Sequence, residues 1–209
     1  MKYQIIPVTP FQQNCSLIWC TKTNKAALID PGGDIEKLYS AIDQHGVVVE
    51  KVILTHGHLD HVGAAGILSE ALGIPIVGPH SDDAFWLEWL PKQATLFGLP
   101  AAKPFTPNRW LNDGDQVTVG TITLNVIHCP GHTPGHVVLF EQTEQILFAG
   151  DVLFKGSIGR TDFPRGNYDE LIHSITNRIL PLGDNVIVIP GHGEITSIGN
   201  ERLNNPYLS

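Results

Sequence analysis

The sequence predicts an α/β protein in which two mixed sheets pack face to face with helices outside. Three observations lead there. Strand–loop–helix units recur in both halves, around residues 26–78 and 116–190, and two packed sheets flanked by helices accommodate that order. Of 209 residues, 42% are hydrophobic and 16% charged, which suits a soluble chain with a sizeable core. No shift of composition divides the chain, so residues 1–209 are read as a single domain.

Short apolar runs open the chain as a meander: Tyr3 to Val8, Cys15 to Trp19 and Ala26 to Ile29, separated by polar turns. Asp30-Pro31-Gly32-Gly33 ends the third run, and Asp34 is placed to cap a helix reaching about Gly46, with Ile35, Leu38 and Ile42 on one face. A strand from Lys51 to Leu54 leads into Thr55-His56-Gly57-His58-Leu59-Asp60-His61. The helix that follows is expected to run unbroken to Leu72 and stop at Gly73. Ile74 to Val77 reads as a strand and Asp82 to Phe97 as one long helix bearing Phe85, Trp86 and Trp89. At helical spacing these aromatics read as core rather than as a roof over a site. A proline-rich connection spans 98–112. Strands follow at Gln116 to Val119, Thr121 to Ile127, Val137 to Phe140 and Gln145 to Phe148, then a helix from Asp169 to Leu180 and a strand from Asn185 to Ile189.

Totals exclude several roles. The formal charge of -8 argues against nucleic-acid binding, which wants a basic footprint. Cys15, Cys20 and Cys129 are odd in number and irregularly spaced, so they read as reduced thiols. Met1 to Pro7 lacks a signal-peptide core, and no apolar run approaches the roughly 18 residues of a membrane span. A cytoplasmic location without membrane contact is expected.

The chemistry concentrates in residues 55–61. Four metal-competent side chains fall between His56 and His61. His56 and His58 project to one side of an extended segment, and Asp60 and His61 return from the first helical turn. Alone, Asp60 would read as a helix cap, His192 as a turn histidine and Asp151 as a turn-forming carboxylate. The dense string overrides those readings, because one loop cannot saturate two ions and demands further donors. His132, Asp151 and His192 meet that demand, each at the end of a strand-like run with glycine nearby. Five imidazoles and two carboxylates suit zinc, iron or manganese better than calcium or magnesium. His45, His80, His128, His136 and His173 are read as non-ligands, Cys129 as a small buried residue, and Thr55 and Asp30 as groups that fix imidazole tautomers.

On these residues the chain resembles the metallo-β-lactamase superfamily, whose signature is Thr-His-x-His-x-Asp-His followed by separate His, Asp and His positions. The resemblance implies a four-layer αββα sandwich with the site at one edge of the sheets. It implies that His56, His58 and His132 hold one divalent ion, that Asp60, His61 and His192 hold another, and that Asp151 bridges. Ala149 to Phe154 and Gly159 to Phe163 are similar to the glyoxalase II-like hydrolases, in a short bacterial form without their C-terminal helical domain. The implied reaction is hydrolysis of S-D-lactoylglutathione or a related small-molecule thioester by a hydroxide shared between ions about 3.5–4 Å apart. Asp60 orients that hydroxide. Arg160 resembles a basic substrate-binding residue of the family, and Lys155 and Arg165 lie in the same loop. A mononuclear iron persulfide dioxygenase, which shares the Gly-Arg-Thr-Asp-Phe segment, is the enzymatic alternative; a metal-binding regulatory protein is the non-enzymatic one.

Overall fold

Alternation along the strands builds the layers. The computed structural model describes residues 1–208. Strands β1 (Lys2–Val8), β2 (Gln13–Trp19), β3 (Lys25–Ile29), β4 (Val48–Ile53) and β5 (Ile76–Val77) form one sheet in that order. Its first pairings are antiparallel and its last two parallel. Strands β6 (Gln116–Val119), β7 (Ile122–His128), β8 (Val137–Glu141), β9 (Ile146–Gly150), β12 (Ile187–Pro190) and β13 (Thr196–Ser197) form the other, ordered β13-β12-β9-β8-β7-β6, with β9 and β12 parallel. Successive side chains on a strand point to opposite faces. Ile18, Ala27, Ile29 and Ile53 therefore meet Leu124, Leu139 and Phe148 between the sheets. Leu17, Leu28 and Val52 face outward onto Leu38 of helix α1 (Ile35–His45) and Leu68 of α3 (Ala65–Leu72). Val138, Leu147 and Val188 face Leu171 of α6 (Tyr168–Ser174) and Ile198 of α7 (Ile198–Asn204). The result is the four-layer αββα sandwich. Strands covered on both faces explain why the sequence shows continuous apolar runs instead of polar alternation.

Several elements differ from expectation. The motif helix is broken into α2 (Leu59–Val62) and α3. Ala64 N–H donates to Pro31 O, a partner outside the helix, and Gly63 lies against Gly32 O. The long aromatic helix is a single 3₁₀ turn at Ser81–Asp83 followed by α4 (Ala84–Glu88) and α5 (Leu90–Phe97), because Pro91 brings no N–H to continue the ladder across Trp89. Asp34 does not cap α1 with its side chain; it takes a left-handed backbone and pairs with Lys37 at 2.7 Å. The segment after α6 widens to a π turn at Ile175–Ile179 and tightens to 3₁₀ at Leu180–Leu182. A small hairpin of β10 (Leu153–Phe154) and β11 (Ser157–Ile158) follows Asp151, and β13 with α7 follows His192. Among the described residues no helix is long and apolar enough to cross a membrane.

Gly32 is the tightest approach between the first sheet and the motif loop: a Cβ there would sit 1.5 Å from Asp60 O. Gly32→Ala is expected to cost about 3 kcal/mol or more, a fall in Tm on the order of 6–12 °C. A thermal melt within 2 °C of wild type would contradict the close packing.

Candidate metal centre

The strand ends of both sheets deliver the candidate side chains to one edge. The loop after β4 carries His56 and His58, and α2 carries Asp60 and His61; the β7–β8 loop carries His132; Asp151 follows β9 and His192 follows β12. His56, His58, His61 and His132 are buried.

Two groups form. In the first, His58 Nδ1 stands 3.1 Å from His56 Nε2 and 3.0 Å from His132 Nε2. In the second, His192 Nε2 stands 3.3 Å from His61 Nε2 and 3.2 Å from Asp60 Oδ2. Asp151 lies between them, its Oδ1 3.3 Å from His61 Nε2 and its Oδ2 3.6 Å from His132 Nε2 and 3.7 Å from His192 Nε2. Each three-residue group has the spacing of a cation site. Asp151 Oδ1 is buried without a hydrogen-bond partner, and imidazole nitrogens converge where a cation would relieve their mutual repulsion. The donor set therefore fits divalent ions of the borderline class.

The far side of four of the five rings is anchored; the outer Nε2 of His58 is buried without a hydrogen-bond partner. Thr55 Oγ1 donates to Asp30 Oδ2 at 2.6 Å, leaving its lone pairs 3.0 Å from His56 Nδ1. Asp30 Oδ2 also receives His61 Nδ1 at 2.9 Å. His132 Nδ1 donates to Arg160 O at 2.7 Å, and His192 Nδ1 to Phe11 O at 3.2 Å. With Nδ1–H committed in this way, Nε2 is the nitrogen of these four rings that is aimed inward, where an ion would compete with a proton for it. His136 is buried and stacked on His56, and its Nε2 accepts the Asp151 N–H at 3.0 Å, so it orients the carboxylate's backbone.

Electrostatics separate the groups. Burial, reinforced by neighbouring imidazoles, pulls His56 and His58 well below the ordinary histidine range, and burial also lowers His132 against the charge of Asp151. Burial pulls on His61 and His192 as well, but Asp151 and Asp60 outweigh it and both are raised. Burial opposes ionisation of Asp151, yet the surrounding His61, His132 and His192 hold its carboxyl well below the usual range.

A cavity of about 570 Å³ opens over both groups, lined by His58, Asp60, His132, Asp151 and His192 with Phe11, Phe97, Phe154, Ile158, Phe163 and Arg160 among its walls. Arg160 is exposed, bonded through both Nε and Nη2 to Asp162 at 2.9 and 2.8 Å, and laid on the Phe163 ring. Lys155 is outside the lining and engaged by Glu194. Arg165 is outside it too, stacked 4.2 Å from the centre of the Phe85 ring. Trp86 is core, as expected, but its indole also packs edge-on against His58 at 4.5 Å. Phe11 and Phe97 went unmarked in the sequence as cavity residues, and Phe163 entered only as the end of the Gly159 to Phe163 segment, because the three come from unrelated segments.

Fold and donor set together define a metallohydrolase scaffold, and the comparisons agree. The family model described as the metallo-beta-lactamase superfamily matches residues 8–192; the chain belongs to that superfamily. It is 50% identical over 210 residues to the hydroxyacylglutathione hydrolase GloC of Haemophilus influenzae, covering 100% of this chain and 99% of the relative. Among solved structures it is similar to the BLEG-1 B3 metallo-beta-lactamase, with TM-score 0.92, 38% identity and 100% of each chain covered. It is also similar to TTHA1623, solved in a di-iron-bound form, with TM-score 0.90, 37% identity, and 98% of this chain and 100% of that one covered.

Acidification should empty the second group first. Raised imidazole pKa values at His61 and His192 mean that protons compete with an ion from a higher pH, whereas the lowered values at His56, His58 and His132 defer competition to more acidic solution. Metal content after dialysis at steps between about pH 8 and pH 5 should fall in two stages. Simultaneous loss, or loss from the first group before the second, would contradict this order.

Proposed function

We propose that the chain is a thioester hydrolase that holds two divalent ions, zinc foremost with iron or manganese as alternatives, and cleaves S-D-lactoylglutathione to D-lactate and glutathione. The observation that carries the reading is the Asp151 carboxylate lying between two complete donor groups. Full-length similarity to a hydroxyacylglutathione hydrolase supports the acyl and thiol components. Bound ions would supply polarisation of the thioester carbonyl and acidification of a water molecule.

The chain's own residues do the rest. His56, His58 and His132 would hold one ion, Asp60, His61 and His192 the other, and Asp151, lying between the groups, would serve both. Asp60 lines the cavity beside His192, where its carboxylate orients the attacking oxygen and holds the proton it sheds. Water adds its oxygen to the acyl carbon, the C–S bond breaks, and the sulfur leaves as a thiolate that later takes up a proton. A thiolate is a stable leaving group, so no strong general acid is needed. Phe11, Phe97, Phe154 and Phe163 wall the cavity above the donors. Arg160 offers a guanidinium at the rim for a substrate carboxylate, in exchange for Asp162. Lys155 and Arg165 lie further out, each already engaged.

Full-length 50% identity to a hydroxyacylglutathione hydrolase favours hydrolysis over a one-iron persulfide dioxygenase, for which two histidines and one carboxylate would be a sufficient basis. An accessible cavity over the donors weighs against a purely structural or regulatory metal site, which four closed ligands would satisfy.

Loss of thioester absorbance from S-D-lactoylglutathione, with metal analysis on the same sample, tests the reading. Turnover with two ions per chain is expected. Two bound ions with no turnover at millimolar substrate would overturn S-D-lactoylglutathione as the substrate while leaving the superfamily assignment intact, and oxygen uptake on glutathione persulfide with one iron bound would favour the dioxygenase. Asp60→Ala is expected to lower kcat on the order of 10²–10⁴-fold. Arg160→Ala should raise KM roughly fivefold with kcat little changed, as suits one exposed charge contact.

A further inference from the structure

We propose that Asp83 is a positioning residue whose carboxylate pins the loop carrying His56 and His58 to the loop carrying His132, and so sets the spacing of the first donor group. The inference rests on the two-ion reading above.

Asp83 is fully buried at the start of α4. Its Oδ2 accepts the Gly57 N–H at 2.8 Å and the Thr133 hydroxyl at 2.8 Å; its Oδ1 accepts the Gly135 N–H at 2.6 Å. Gly57 lies between His56 and His58, and Thr133 follows His132. One side chain thus joins two loops that are remote from it in sequence and that between them carry the three converging imidazoles. Main-chain packing reinforces the joint. His80 N–H donates to Gly135 O at 3.1 Å. A Cβ on Gly135 would lie 2.5 Å from Asp83 N, and one on Gly57 2.6 Å from Trp86 Cβ. From the same segment, Gln93 accepts the Leu59 N–H at 2.9 Å and donates to Gly57 O at 3.2 Å.

A carboxylate is what this place requires. Burying a carboxyl is costly unless hydrogen bonds compensate, and burial pushes this one up to about 7 against the pull of its three donors. All three recorded partners donate. An asparagine would turn an N–H₂ toward at least one of them and leave two donors facing each other. The second donor group has no contact with Asp83; its anchors are Asp30, Gln13 and Phe11 O.

The test is removal of zinc from the loaded protein by a chromogenic chelator, resolved into two steps. The step belonging to the first group is identified as the one that His132→Ala abolishes. Asp83→Asn is expected to weaken that step about 10-fold, the lower end of what losing a ligand's own hydrogen-bond partner costs, because Asp83 acts through the loops and not on an imidazole, while the other step moves less than about threefold. Both steps unchanged, or both weakened equally alongside a lowered melting temperature, would overturn the proposal, since a merely structural role destabilises without choosing between groups. If Asp83→Asn is insoluble, Thr133→Val removes one donor at nearly constant shape, and the same step should weaken about threefold or more; no change would again overturn it. Wild-type protein releasing a single zinc would instead overturn the two-ion reading, leaving the Asp83 comparison to be made on that one step.

Discussion

Imidazole nitrogens cannot face one another at about 3 Å inside a protein unless a proton or a cation lies between them. His56, His58 and His132 are held in that arrangement, and much of the surrounding structure follows from sustaining it. The outward nitrogens must be tied down so that the inward ones stay aimed at the centre. Thr55, Asp30, Arg160 O and Phe11 O perform that task at the four rings that point Nε2 inward. The loops must also be kept from springing apart, which requires anchors beneath them. Asp30 and Asp83 are both buried carboxylates that accept loop N–H and hydroxyl groups together. Asp30, from the turn after β3, underpins His61 directly and His56 through Thr55, while Asp83, from the start of α4, ties the His56–His58 loop to the His132 loop.

The cavity follows a different logic from the donors beneath it. Its floor is polar and its walls are aromatic, with Phe97 at right angles to both Phe11 and Phe163. Charge near the rim is largely spent on neighbouring carboxylates. The aromatic surface thus contributes shape, and the polar groups lie on the floor and, with Arg160, at the rim.

Much of this was legible in the sequence because its signals are local. Strands buried on both faces produce runs such as Val52-Ile53-Leu54, and a string such as His56 to His61 has little structural reason to exist without metal. What escaped depends on partners distant in the chain. The break between α2 and α3 arises because Pro31 O captures the Ala64 N–H, and no helical pattern encodes that. Asp82-Asp83 reads as an ordinary acidic helix start; that only the second carboxyl turns inward to Gly57 and Thr133 is decided by the packing of α4. The hairpin after Asp151 and the helix after His192 are short and follow turn-rich stretches, where periodicity has too few residues to register. The expected cap at Asp34 failed for a related reason, since Lys37 on the exposed face competes for the carboxylate.

Each donor group straddles the sandwich. His58 and His132 are 74 residues apart in sequence, and His61 and His192 are 131 apart; in both pairs one partner hangs from the first sheet and the other from the second. An ion seated in either group would rivet the two halves, closing a long loop in the manner of a disulfide and drawing on the same loss of freedom in the unfolded chain. The site would then be a fastener as well as a reaction centre. Any slippage of one sheet over the other would register as a change in the gap that Asp151 spans.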